Sequence, residues 1–174
     1  MTTVEEAPDR LLAAARPLVV RYCRARLGAE SADDVAQEVC IAVLKAMPGR
    51  PPDRPFPNFV CGIARQQVAA ARKAAARQRD EPAAELPEEV DASLDPERHA
   101  LRRELGERMA KLLQVLPEKQ REIVVLRVAV GMSAEETAEA VGSTPGAVRV
   151  AQHRALSQLR KVVGGRVPGA TLAG

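Results

Sequence analysis

Apolar residues recur at three- and four-residue spacing along most of this chain, the signature of amphipathic helices packed by one face. From residue 8 to 27, Leu11, Leu12, Ala15, Leu18, Val19 and Tyr22 fall near one side, and Gly28 ends the helix. Ser31 to Asp34 has the form of a capping box, predicting a second helix from Ala32 to Met47. Its buried row is Val35, Val39, Ala42, Val43 and Ala46, while Asp34, Gln37, Glu38, Ile41 and Lys45 take the other side. An apolar Ile41 among polar neighbours fits a partner surface or a solvated helix face. Five prolines between residues 48 and 58 forbid helix and predict a stiff loop. A third helix, from about Pro57 to Arg77, buries Phe56, Phe59, Val60, Ile63 and Ala64.

The periodic pattern resumes near Pro96 and runs to about Gln114 with Leu101, Leu105, Met109, Leu112 and Leu113. Leu116-Pro117 opens a further helix carrying Ile123, Leu126 and Val130, closed by Gly131. Then comes the most informative stretch, Ser133 to Leu159. Ser133 and Glu136 form a capping box ahead of a short helix with Ala134, Ala138 and Val141 on one face. Gly142 permits a left-handed corner. Ser143 or Thr144 caps the next helix, with Pro145 at its first position. That helix buries Val148, Ala151, Ala155 and Leu159 and shows Gly146, Arg149, Val150, His153, Arg154 and Ser157 outward. This is the pattern of a helix-turn-helix whose second helix enters a major groove: long cations reach phosphates and guanine edges, and small residues at its start allow close approach. The plain alternative is a helical hairpin with a solvated basic face.

Charge distribution strengthens the first reading. No Asp or Glu occurs from Thr144 onward, against Arg149, Arg154, Arg160, Lys161 and Arg166. Arg54 to Arg79 also lacks acidic residues and holds Arg54, Arg65, Arg72, Lys73, Arg77 and Arg79, with Gln66 and Gln67 able to hydrogen-bond bases or phosphates. Between these surfaces, residues 78–100 carry eight acidic residues against Arg79 and Arg98, a net charge of −6, with three prolines. That composition predicts a flexible acidic linker.

The 174 residues therefore suit two small all-α domains. With aromatics at 2% and no Trp, the cores rest on Leu, Val, Ile and Ala. Cys23, Cys40 and Cys61 are odd in number and widely spaced, which argues for buried reduced thiols and against a disulfide framework or zinc knuckle. Neither His99 nor His153 has a plausible Cys, Asp or Glu neighbour at metal spacing, and no phosphate-binding Gly-rich loop or strong nucleophile case is present. No catalytic residue, metal or cofactor is expected, and no membrane contact or small-molecule substrate. The polar, acidic start is unlike a signal peptide, so a cytoplasmic protein is expected.

Three segments in this order resemble the extracytoplasmic-function (ECF) sigma factors of bacterial RNA polymerase. SADDVAQEVCIAVLKAM is similar to the family's region 2.2, FPNFVCGIARQQVAAARK to regions 2.3 and 2.4, and LPEKQREIVVLRVAVGMSAEETAEAVGSTPGAVRVAQHRALSQLRK to region 4. The wording of the last segment is most like the actinobacterial ShbA/SigD-like subgroup. The resemblance implies a sigma-2 domain over 8–77, the linker over 78–100, and a sigma-4 domain over 101–163. It implies that Asp34, Gln37, Glu38 and Ile41 bind the clamp of the polymerase β′ subunit. Arg54, Asn58, Arg65, Gln66, Arg72 and Lys73 would hold the melted −10 strand of promoter DNA. Thr144, Arg149, Val150, His153 and Arg154 would read the −35 element, sigma-4 would dock on the β flap, and an anti-sigma factor is an optional further partner. Phe59-Val60-Cys61 stands where the family usually has Trp-Leu-Tyr, and Val150-Ala151 where Ser-Arg is frequent. The rival readings are a stand-alone LuxR-type helix-turn-helix regulator and a helical protein-interaction adaptor.

Overall fold

The computed structural model describes residues 6–79 and 95–165, and every element among them is helical. The all-α class is as expected. Residues 80–94, which hold most of the expected linker, and Arg166 lie outside the described residues. Helix α1 (Glu6–Leu27) and α2 (Ala29–Ala46) are joined by a single residue, Gly28, at φ 78. A short 3₁₀ turn (Met47–Gly49) and a proline-bounded loop lead to α3 (Phe56–Arg79). The C-terminal half comprises α4 (Pro96–Leu113), α5 (Glu118–Val124), α6 (Ala134–Val141) and α7 (Pro145–Gly164). A π-helical turn, Val125–Val130, continues α5 and ends at Gly131 with φ 87.

Periodicity marks the buried side of α1, α2 and α7. On α2, Val35, Val39 and Val43 are inside. Each buried Val is worth roughly 1.5–3 kcal/mol, more than the about 0.7 kcal/mol or less that a β-branched residue costs a helix. Packing therefore wins over propensity. Cys23 and Cys61 are buried free thiols, pushed by burial to about 12, so they remain protonated at neutral pH. Cys40 is partly buried and shifted the same way, again by burial.

Two local expectations are corrected. The Ser31–Asp34 box does not cap α2: the helix starts at Ala29, the N-cap is Gly28, and no side chain bonds there. The positive φ at Gly28 turns the chain so sharply that the helix begins before Ser31 is reached. The apolar row of α4 is also only half used. Leu113 is buried, whereas Leu101, Leu105 and Met109 are all more than half exposed. α4 is held by Asp95, whose side chain accepts from the Arg98 N–H, and packs only near its end.

The two expected domains are present, and they share one core. Val19 and Tyr22 of α1, Val39 and Val43 of α2, and Val60, Ala64 and Val68 of α3 lie in the same apolar cluster as Leu113, Leu116, Val125, Leu126 and Val130. A smaller cluster of Ile123, Ala134, Ala138 and Val148 lies under the helix-turn-helix. Two arginines serve this architecture directly. Arg121 donates to the carbonyls of Leu113, Gln114 and Leu116, closing the α4–α5 corner. Arg127 donates to Gln152 Oε1 at 3.0 Å and to the Met132 carbonyl, fastening α7 to the π-helical turn.

The Ser133 cap is formed as expected. Its hydroxyl accepts from the Glu136 N–H at 3.0 Å, and Glu136 accepts from the Ser133 N–H at 2.8 Å. Ser133→Ala should cost about 1 kcal/mol, lowering the melting temperature by about 2–4 °C. Ser31→Ala, which removes no cap, should leave stability within about 0.5 kcal/mol. Thermal melts of the two variants side by side check the distinction.

Candidate nucleic-acid interface

α6 and α7 meet at a left-handed Gly142, φ 62, followed by Thr144, whose hydroxyl accepts from the Ala147 N–H at 3.2 Å. Val148, Ala155 and Leu159 hold α7 against the core, and Ala151 is partly buried beside them. The register then leaves Thr144, Arg149, Val150, His153 and Arg154 exposed. All five sequence-predicted residues thus lie together at the start of one helix, on the side away from the core. Arg149 Nη2 lies 2.7 Å from Glu135 Oε1 on α6. Its own backbone N–H and Arg149 together hold the Glu135 carboxyl below the usual carboxylate range. Both side chains are solvent-exposed, so the pair contributes little to stability and leaves Arg149 free to exchange partners.

The second cationic set is less uniform. Arg54, Gln66, Arg72 and Lys73 are exposed. Gly62 leaves room for the Arg54 guanidinium to lie along α3, where a Cβ would come within 3.0 Å of it. Asn58 departs from the expectation. It is 1% exposed, and neither its Nδ2 nor its Oδ1 has a hydrogen-bond partner. Of the expected row on α3, Phe59, Val60 and Ala64 are buried while Phe56 and Ile63 are only partly so, and the buried arc takes in Asn58, Cys61 and Val68 as well. Arg65 follows Asn58 and Cys61 at helical spacing and is partly buried against the C-terminal half. Its Nε lies 2.8 Å from Glu122 Oε1, and its Nη1 donates to the Ala140 carbonyl.

Glu122 is the centre of a polar cluster that periodicity does not disclose. It is 6% exposed, and Tyr22 Oη donates to it at 3.0 Å and 3.1 Å, across 100 residues of chain. Arg26 Nε sits 3.6 Å from Glu122 Oε2, close enough for charge attraction but beyond hydrogen-bond distance, so that N–H has no acceptor. Arg26 Nη2 instead pairs with Glu118, one turn earlier on α5, and Arg72 Nη1 lies 3.7 Å from the same carboxylate. Burial and the Glu122 charge both raise the Tyr22 hydroxyl above its ordinary pKa. Glu118 is shifted the other way: burial raises it, but the Arg26 bond and the charges of Arg26, Arg121 and Arg72 outweigh that and hold it low. Only a carboxylate embedded in the apolar run EIVVL could have hinted at Glu122 in the sequence.

Asp34, Gln37, Glu38 and Ile41 are exposed on α2. Asp34, Gln37 and Ile41 line a cleft of about 850 Å³ between α1 and α2, with Leu12, Val20 and Leu44 as its apolar wall. No group of three His, Cys, Asp or Glu side chains able to hold a metal occurs among the described residues. Nor is any described helix long and apolar enough to cross a membrane.

Comparison with known proteins bears directly on these surfaces. Residues 11–78 match the family model for sigma-70 region 2, and residues 106–159 match that for sigma-70 region 4. The chain is 58% identical over 151 residues to the ECF RNA polymerase sigma factor SigD of Mycobacterium tuberculosis, covering 83% of this chain and 71% of that protein. It is 50% identical over 165 residues to the ECF RNA polymerase sigma factor ShbA of Streptomyces griseus, covering 89% of this chain and 86% of that one. Among solved structures, CnrH in complex with the cytosolic domain of CnrY shares the fold with a TM-score of 0.69 at 24% identity, over 95% of this chain and 93% of that one. The sigma factor RpoE bound to the anti-sigma factor NepR from Bartonella quintana does so with a TM-score of 0.61 at 19% identity, over 96% of this chain and all of that one. A region 2 that ends on the cationic α3 and a region 4 that ends on the exposed face of α7 are thus the two halves of one pattern, and the chain belongs to the ECF sigma factors of RNA polymerase, in the SigD/ShbA-like subgroup.

Proposed function

We propose that this chain binds core RNA polymerase and directs promoter-specific transcription initiation. The observation that carries the reading is the outward row Arg149, Val150, His153 and Arg154 on a helix whose other side is locked into the core. Such a row reads base edges in a major groove, here the −35 element. Arg54, Gln66, Arg72 and Lys73 supply a cationic track for the melted −10 strand, joined by Arg65 and Asn58 once they turn outward. In this reading 8–77 is the sigma-2 domain, 78–100 the linker and 101–163 the sigma-4 domain. The α2 face with Asp34, Gln37, Glu38 and Ile41 docks on the β′ clamp, and sigma-4 docks on the β flap. The chain itself catalyses no reaction; the polymerase supplies the chemistry, and the work takes place in the cytoplasm. The anti-sigma factor NepR on the structural neighbour RpoE favours one here as a further partner.

Neither cationic surface is large enough to hold a promoter tightly alone. Fixing both on polymerase makes the second contact intramolecular, so two weak contacts act as one strong one. Capturing an extruded base costs a few kcal/mol of unstacking, about the scale that such added binding can offset. A stand-alone regulator or an adaptor would have no use for the region 2 segment over 11–78. The test is run-off transcription on genomic fragments with core polymerase, with and without the chain. Discrete new start sites are expected; salt-dependent duplex binding without polymerase and no new starts would overturn the reading.

A further inference from the structure

We propose that in the free chain Glu118 and Glu122 stand in for nucleic-acid phosphates, closing the C-terminal half onto α3 so that Arg65 and Arg72 are engaged before promoter DNA arrives. The inference rests on the reading of those arginines as strand-binding residues. It is drawn from the seam between the halves, a cleft of about 660 Å³ lined by both.

The chemistry of the seam is that of a phosphate site. Guanidinium binds carboxylate and phosphate through the same donors. Glu118 and Glu122 lie one turn apart on α5 and receive Tyr22, Arg26, Arg65 and Arg72, all from the N-terminal half. The two uses of Arg65 exclude each other. Its Nε is on Glu122 and its Nη1 on the Ala140 carbonyl of α6, so a strand phosphate can take those two donors only after α5 and α6 withdraw. Glu122 has the same choice from its own side: buried, it must be paired, because an unpaired buried charge is strongly unfavourable. Opening the seam gives it water instead. The cluster therefore has two satisfied arrangements, and apolar contacts of Val125 and Val130 within the shared core add to the closed one. Arg54, Gln66 and Lys73 stay exposed, and Arg72 is held only by a 3.7 Å charge pair, so closure should weaken strand binding without abolishing it.

The chain carries its own reporter. Tyr22 is its sole tyrosine and there is no Trp, so intrinsic emission comes from the latch. A phenol bonded to a carboxylate emits weakly, because excited-state proton transfer competes with emission. The experiment compares the full-length wild type, Glu118→Gln with Glu122→Gln, and a control of equal charge change on α4, Glu104→Gln with Glu107→Gln. It reads tyrosine emission, radius of gyration by small-angle scattering, and binding of a labelled single-stranded oligonucleotide without polymerase. The latch variant should be brighter and larger than the control. It should bind the oligonucleotide about ten-fold more tightly if the closed form outweighs the open by about ten to one. Wild-type emission and size in the latch variant would overturn the proposal. An opened variant with no gain in affinity is resolved by adding Arg65→Ala. If that further change weakens binding, the masking idea fails; if it leaves binding unchanged, the strand-binding reading of Arg65 fails and the latch stands. Should Glu122→Gln lose helical circular dichroism, Arg26→Gln breaks the same cluster from the opposite side and lies outside the strand-binding set.

Discussion

Arg149→Ala combined with Arg154→Ala should erase the discrete transcription starts at promoters that depend on an upstream element. Each cation that contacts a base edge contributes about 1–3 kcal/mol. The pair should therefore cost at least about thirty-fold in promoter occupancy. The fold should not suffer, because both side chains are exposed and Arg149 loses only an exposed partner, Glu135. Circular dichroism and polymerase co-purification should be unchanged. Base readout and phosphate contact are separable in the same experiment. If the loss is uniform across promoter sequences and the salt dependence falls by about one per cation, the residues contact the backbone only. If the loss is confined to promoters sharing one upstream sequence, they read bases.

That prediction is available from the sequence alone, because the features behind it are local. Ser133, Glu136, Gly142, Thr144 and Pro145 act within a turn of their positions, and caps and corners of that kind set where α6 and α7 start and stop. With the register set, the periodicity of Val148, Ala155 and Leu159 decides which side of α7 faces out. The same reasoning fails at Ser31, where the backbone of Gly28 starts the helix first, an effect that a side-chain motif does not encode. It fails again at Asn58 and Arg65. Both look like solvent-facing polar residues in an acid-free stretch, and both are turned inward by partners or packing far away in sequence. Tyr22 and Glu122 are the extreme case, 100 residues apart and meaningful only together. The linker composition marks two domains; that Val125 and Leu126 share a core with α1 to α3 is a tertiary fact that no window of sequence carries.

Ile41→Lys should break the association with core polymerase by about thirty-fold or more while leaving the chain folded. Ile41 is 47% exposed in the midst of Asp34, Gln37 and Glu38, and its side chain opens onto an apolar-walled cleft with Leu12, Val20 and Leu44. An apolar side chain left at the centre of a polar face gains most when a partner covers it. Truncating such a central residue commonly costs 2 kcal/mol or more, about thirty-fold, and a charge in its place adds the desolvation of an ammonium. In the free chain the same change should be nearly neutral, since the lysine head reaches water from a half-exposed position. Surface plasmon resonance against core polymerase measures the loss, and a thermal melt verifies the fold. Asp34→Ala, at the rim of the same face, should act mainly through the association rate and be sensitive to salt. Equal polymerase affinity for Ile41→Lys and wild type would move the docking surface off α2, and the exposed Leu101, Leu105 and Met109 row of α4 would become the next surface to test.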